Sequence, residues 1–308
     1  MSLKSETTGL ALAVVAALGF SAKAIFVKLA FPYGVDALTL LALRVALAGP
    51  VFLFLAWRSG RNALALTQRD WLALTALGLL GYYGASLLDF MGLAYISAGL
   101  ERLILFVYPT LTLLISVLAF GHRASRRELL AVALAWAGIA FAFSHDLGIN
   151  RDNSQAVWLG AGLVFASAVC YALYLAGAGQ MIARLGSQRF TALAMSISTV
   201  ACLLHFSLAR PLSGLAQPAP VLGYALAMAI FSTVLPVFAL SAAIRRLGAA
   251  RCAVIGSVGP VITIGLGIWL LGEPLSLAQV AGTVLVLGGV SLAGKPKAKA
   301  TPQGENRG

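Results

Sequence analysis

Ala249–Leu292, AARCAVIGSVGPVITIGLGIWLLGEPLSLAQVAGTVLVLGGVSL, reads as an apolar helix, a break at Leu271-Gly272-Glu273-Pro274-Leu275-Ser276, and a second apolar helix. Subtracting 151 from each number lands on Ala98–Phe141 without a gap. Pro260 falls on Pro109, Thr263 on Thr112, Gly272 on Gly121, Ser276 on Ser125 and Gly289 on Gly138, with Val258 on Val107. In an apolar chain matched Pro and Gly carry more weight than matched Leu, which recurs by chance. The spacing predicts a chain built twice, from halves of about 150 residues.

Composition says what surrounds those halves. Of 308 residues, 60% are hydrophobic and 10% charged, against about 25% charged in soluble domains. Ten apolar runs are long enough to cross a bilayer: 8–30, 37–57, 71–95, 98–120, 127–144, 156–181, 189–208, 219–244, 248–271 and 276–293. The expected class is an all-α integral membrane protein of ten transmembrane helices. The run 8–30 carries Lys23 and Lys28 and is too long for a cleaved leader. The net charge of +12 sits in short loops, so the membrane accounts for it and nucleic acid is not an expected partner. Residues 295–308 read as a disordered basic tail.

Orientation follows from the basic residues. With the N-terminus in the cytoplasm, 16 of the 22 Lys and Arg lie in inner segments. These include Lys4, Arg61, Arg123, Arg184 and Arg245, and Lys295, Lys297, Lys299 and Arg307 in the tail. Outer loops keep only Arg151 and Arg210, a strong positive-inside bias. Both termini are expected in the cytoplasm of a bacterial inner-membrane protein. Five spans per half is odd, so residues 151–294 would enter the membrane from the side opposite to residues 1–150. That is an inverted repeat, a construction that secondary transporters use for alternating access.

The segment 248–292 resembles the EamA-type repeat of the drug/metabolite transporter superfamily. Pro260, the Gly272-Glu273-Pro274-Leu275-Ser276 turn, Gln279, Gly282, Gly288 and Gly289 carry the likeness, together with Lys28 and a degenerate first-half turn, Gly121-His122-Arg123-Ala124-Ser125. Tyr82-Tyr83 and Tyr108-Pro109 make the chain most similar to bacterial exporters of aromatic and other amino acids. The resemblance implies that spans one, three, four, six, eight and nine line a central cavity, with five and ten at the periphery.

Six ionisable residues lie inside spans: Lys23, Lys28, Arg44, Asp89, Glu101 and Arg102. Charge at membrane depth faces protein or water. Four positive charges against two negative predict a net positive outer vestibule. Lys23, Asp89, Glu101 and Arg102 are candidates for gating or coupling. Structural readings stand beside this: Asp89 with Arg102 as a salt bridge, and Lys28 and Arg44 snorkelling to headgroups. Tyr82, Tyr83, Ser86, Tyr108, Tyr171, Tyr174, Thr233 and Ser257 are the candidate substrate contacts. Ser167, Tyr171 and Tyr174 share one face of span six, which suits either an aromatic cavity or helix packing. Pro109, Pro236 and Pro260 are expected to kink their spans.

No H-E-x-x-H, G-x-S-x-G, P-loop or dinucleotide signature occurs. Neither the histidines (His122, His145, His205) nor the cysteines (Cys170, Cys202, Cys252) have ligand spacing, so no metal or cofactor is expected. The expected function is export of amino acids by a secondary transporter that works as a monomer, its partners a small-molecule substrate and the bilayer. The alternatives are another metabolite or drug on the same fold, and a membrane enzyme or scaffold.

Overall fold

A computed structural model describes residues 3–60, 65–120, 125–149 and 153–293. Arg61, Arg123, Arg151, the Gly121-His122-Arg123-Ala124 part of the first-half turn and the tail 295–308 lie outside the described residues. Among those described the chain is helical throughout, with no strand. Among the described residues nine helices are long and apolar enough to cross a membrane. They are α1 Glu6–Tyr33, α2 Ala37–Gly60, α3 Gln68–Leu93, α4 Ala98–Ile115, α5 Arg126–Ile149, α6 Ser154–Leu185, α7 Ser187–Ala209, α8 Ala219–Leu247 and α9 Val254–Leu271. The tenth expected span, α10 Leu277–Leu292, is apolar and shorter. Leu118, Leu208, Trp269 and Leu277 are at least 78% exposed. Such exposure suits a lipid solvent.

Three helices begin with a side chain satisfying their free N–H groups. Asp36 accepts from the N–H of Leu38 and Thr39 at 3.0 and 3.2 Å. Thr67 and Asp70 cap α3 reciprocally, as Ser125 and Glu128 cap α5. Polar pairs gather at two ends of the bundle. Arg251–Glu6 (2.6 Å) and Arg184–Asp70 (2.8 Å) lie at one, Arg210–Asp36 (3.7 Å) at the other.

Small residues let the helices approach closely, because lipid supplies no hydrophobic drive between them. α5 and α10 pack antiparallel. A Cβ on Gly138 would sit 2.5 Å from the Gly282 carbonyl, one on Gly282 2.5 Å from the Gly138 carbonyl, and one on Gly289 2.6 Å from the Ala131 carbonyl. Gly138→Leu is therefore expected to pry α10 off, at about 1–3 kcal/mol or more, lowering the thermal transition of the detergent-solubilised protein. Gly162→Leu is the control, since nothing lies within 4 Å of a Cβ there. Equal melting of the two variants would count against this packing.

Two helix pairs carry matching irregularities. α3 has a π-helical turn at Leu79–Gly84 and α8 one at Ile230–Val234, and their starts are 151 residues apart. α4 breaks at Phe106-Val107 and α9 at Ser257-Val258, again at that offset. The three prolines do not sit mid-kink. Pro109, Pro236 and Pro260 each occupy the first turn of the helix that resumes after an irregularity. There a missing N–H costs nothing, so the distortion falls just ahead of the ring.

Candidate functional site

The break in α4 sets the geometry. Glu101 and Arg102 lie on the helical turns before it, Ala98–Leu105, and Tyr108 opens the segment after it, Tyr108–Phe120. α1 is fixed beside α9 by Ser21, whose hydroxyl donates to the Ala17 carbonyl at 2.7 Å and is 3.2 Å from that of Gly259. The Thr263 hydroxyl donates back to the Ser21 carbonyl at 3.2 Å. This places Lys23 of α1 against α3 and α4.

Lys23 is the hub of the in-span charges. Its ammonium donates to Asp89 Oδ2 and, at 3.1 Å, to Glu101 Oε1. The carboxylate side chains are 3% and 0% exposed. Asp89 Oδ1 and Glu101 Oε2 are buried without a hydrogen-bond partner. The expected Asp89–Arg102 salt bridge is not what forms. α1 brings a cation closer to Asp89 than α4 does, and Lys23 takes it.

Arg102 turns the other way. Its guanidinium carbon lies 5.4 Å from the Phe106 ring centroid, a cation–π distance. One terminal nitrogen is 2.9 Å from where a Cβ of Gly259 would be. Its Nε is buried and unpartnered. Arg44 does not snorkel to headgroups. It is 7% exposed, donates to the Ser86 hydroxyl at 3.1 Å and lies 4.9 Å over Phe90. The negative charges of Glu273 and Asp146 reach Lys28, and with those two carboxylates the set counts four negative against four positive.

The tyrosines form a row across three helices. Tyr82 of α3 and Tyr174 of α6 are hydroxyl to hydroxyl at 2.9 Å, with rings 5.2 Å apart. Tyr174 stacks on Tyr171 at 5.6 Å, and Tyr171 meets Tyr108 edge-on at 5.2 Å. Tyr108 meets Phe106 at 6.2 Å, so the row ends at Arg102. Gly81 lets the Tyr174 ring lie flat on α3. Tyr83 points elsewhere, to His205 Nδ1 at 2.5 Å. The Thr233 and Ser257 hydroxyls are spent within their own helices, on the carbonyls of Met228 and Val254. A cleft of 350 Å³ lies between α2, α7 and α8, lined by Phe52, Thr191, Ser241 and Arg245 among others, and no residue of the row lines it.

Three contributors escaped the sequence reading as site residues. Glu273 reaches back to the start of α4, where its carboxylate accepts from the N–H of Ala98 at 2.8 Å and of Gly99 at 3.4 Å. Asp146 accepts from the Ser97 N–H and hydroxyl, both at 2.8 Å. Phe106 backs Arg102. Glu273 alone left a signal, as the one acidic residue in the α9–α10 turn. Among the described residues no group of three or more His, Cys, Asp or Glu is placed to hold a metal ion.

The profile of the EamA-like transporter family matches residues 7–144 and, a second time, 158–294. The chain belongs to this family. The uncharacterized transporter YcbK of Bacillus subtilis (strain 168) is 30% identical over 287 residues, covering 91% of this chain and 90% of YcbK. YyaM of the same organism, also an uncharacterized transporter, is 26% identical over 252 residues, 81% of each chain. An uncharacterized transporter of Archaeoglobus fulgidus is 25% identical over 223 residues, 71% of this chain and 77% of its own. A protein crystal structure superposes with a TM-score of 0.62 at 19% identity, covering 92% of this chain and 97% of that one, a likeness of fold alone. This EamA-like chain is thus a multi-span membrane protein of a transporter family.

Proposed function

We propose that this EamA-like transporter exports amino acids, aromatic ones included, across a bacterial inner membrane. It works as a monomer with both termini in the cytoplasm. The cycle is alternating access between two five-helix halves, residues 1–150 and 151–294, inserted in opposite orientations. Support for the two halves comes from the shared 151-residue offset of the π-turns and helix breaks and from the double family match. Such turns and breaks are where a helix bends at low cost.

One observation carries the choice of cargo. A row of four tyrosines ends at a guanidinium, with a buried carboxylate pair, Asp89 of α3 and Glu101 of α4, held by Lys23. An aromatic surface flanked by charges of both signs matches a zwitterion with an apolar side chain. A sugar phosphate would call for several basic groups from both halves, and all four in-span cations belong to the first.

Counterflow of labelled amino acids into proteoliposomes tests this. Uptake of aromatic and other neutral amino acids is expected. Uptake of a different metabolite with none of any amino acid would replace the cargo and keep the fold. Running the assay with and without a pH gradient tests coupling through Asp89 and Glu101, and flux indifferent to the gradient would remove that role.

A further inference from the structure

Of the four in-span cations, three are already answered. Lys23 holds two carboxylates, the charges of Glu273 and Asp146 reach Lys28, and Arg44, whose Nε is also unpartnered, donates to Ser86 over Phe90 and is 7% exposed. Arg102 is arranged differently. Among the described residues no carboxylate lies within salt-bridge distance of it and no acceptor takes its hydrogens. Its Nε is buried and bare. It is not sealed in, however, for the residue is half-buried.

We infer that Arg102 is the substrate's carboxylate anchor, and that the aromatic row from Phe106 to Tyr174 holds the substrate's side chain. This rests on the cargo proposed above and names the group recognised. A guanidinium offers paired N–H donors in a plane that fits a carboxylate two-to-two. Phe106 on one side and the Cβ-less face of Gly259 on the other keep that plane fixed. The Arg102 charge is also felt at Tyr108 and Tyr171, so an anion there meets the row at once. Glu101, next in sequence, feels the Arg102 charge but is hydrogen-bonded to Lys23 and makes no ion pair with Arg102. Gly259 has a stated part: any side chain there would push the guanidinium out of plane.

Three probes separate the groups of the cargo: phenylalanine, phenethylamine, which lacks the carboxylate, and 3-phenylpropionate, which lacks the amine. Their binding is measured as competition with a labelled amino acid and, directly, by calorimetry on the purified full chain. Arg102→Gln is expected to weaken phenylalanine and 3-phenylpropionate by roughly 10- to 100-fold while leaving phenethylamine unchanged, which also reports that the variant is folded. Arg102→Lys keeps charge and loses the fork, so it recovers only part of the loss. Gly259→Ala weakens the same two probes with the arginine intact, and decides the matter if Arg102→Gln does not fold.

Equal weakening of all three probes, or of none, overturns the anchor. If the unaltered protein binds 3-phenylpropionate and not phenylalanine, and Arg102→Gln abolishes that binding, the anchor stands and the amino-acid cargo falls. If it binds phenylalanine and Arg102→Gln changes nothing, the cargo stands and the anchor falls. Binding of none of the three overturns both.

Discussion

Lys23→Met is expected to cost most of the folded population of the solubilised protein at neutral pH, whereas Glu101→Gln is expected to be tolerated. The asymmetry comes from counting charges. One ammonium serves two carboxylates, and those side chains are 3% and 0% exposed. Removing the ammonium leaves two carboxyl groups together in apolar surroundings without their cation, each already with one oxygen unpartnered. Stripping one partner from a buried pair costs about 3–5 kcal/mol, a large part of a typical stability of about 5–15 kcal/mol. Removing a carboxylate instead leaves one pair of matched charge. The amide of Glu101→Gln keeps the shape and an acceptor for Lys23. Size-exclusion profiles and thermal transitions in one detergent check both halves. The triple variant Lys23→Met, Asp89→Asn, Glu101→Gln should fold again, since no charge remains to bury. If Lys23→Met melts where the unaltered protein does, the hub is not buried as described.

The same hub marks the limit of what could be read from the chain. Depth in the membrane is legible by counting residues from a span end. Azimuth between helices is not legible. Asp89 and Arg102 flank one short loop, which made them the obvious pair, but α1 packs between and delivers Lys23 to Asp89. Arg44 fails for the same reason: α3 lies beside it, so Ser86 and Phe90 enclose a side chain whose depth alone suggested headgroups. Within one helix the reading is safer. Tyr171 and Tyr174 share a face by periodicity and do stack. Tyr82 joins them through a contact 92 positions away, which no local pattern encodes. Proline announced the breaks before Pro109 and Pro260. The π-turn of α3 has no proline, only Gly78, Gly81 and Gly84, so its partner in α8 was the easier one to suspect.

Glu273 was legible only as part of a turn, and its removal gives the second large expected effect. Gly272, at φ +68°, reverses the chain after α9, a conformation glycine adopts freely. The Glu273 N–H then bonds the Gly267 carbonyl at 3.1 Å, and its carboxylate takes the free N–H groups of Ala98 and Gly99. The turn is tied from the other side too, because His145 Nε2 and the Pro274 carbonyl are 3.1 Å apart. One end of α4 is thus latched to the α9–α10 turn, and in the proposed cycle that end has to part. Glu273→Ala frees two helix N–H groups. A lost N-cap costs about 0.5–2 kcal/mol, which shifts a latched-to-open ratio by roughly 2- to 30-fold. Hydrogen exchange over residues 96–105 should accelerate by that factor, and exchange elsewhere in α4 should not. The latch also carries a pH dependence with a definite sign. Burial pushes the Glu273 carboxyl above its ordinary value of 4.5, outweighing the two N–H donors and the charge of Lys28, with Asp146 adding to the rise. The latched form therefore keeps a proton that the open, solvated form has already released. Between the ordinary value and the raised one, the latched form binds more protons, so acid tightens the latch and rising pH loosens it. Corrected for intrinsic rates, exchange at Ala98 and Gly99 should slow as pH falls through that window. Asp146, Lys28 and His145 stand nearby and are the same in every variant, so Glu273→Gln isolates the one group. It retains an acceptor for Ala98 and loses the proton. A pH profile in Glu273→Gln identical to that of the unaltered protein would take the dependence away from Glu273 and from the latch.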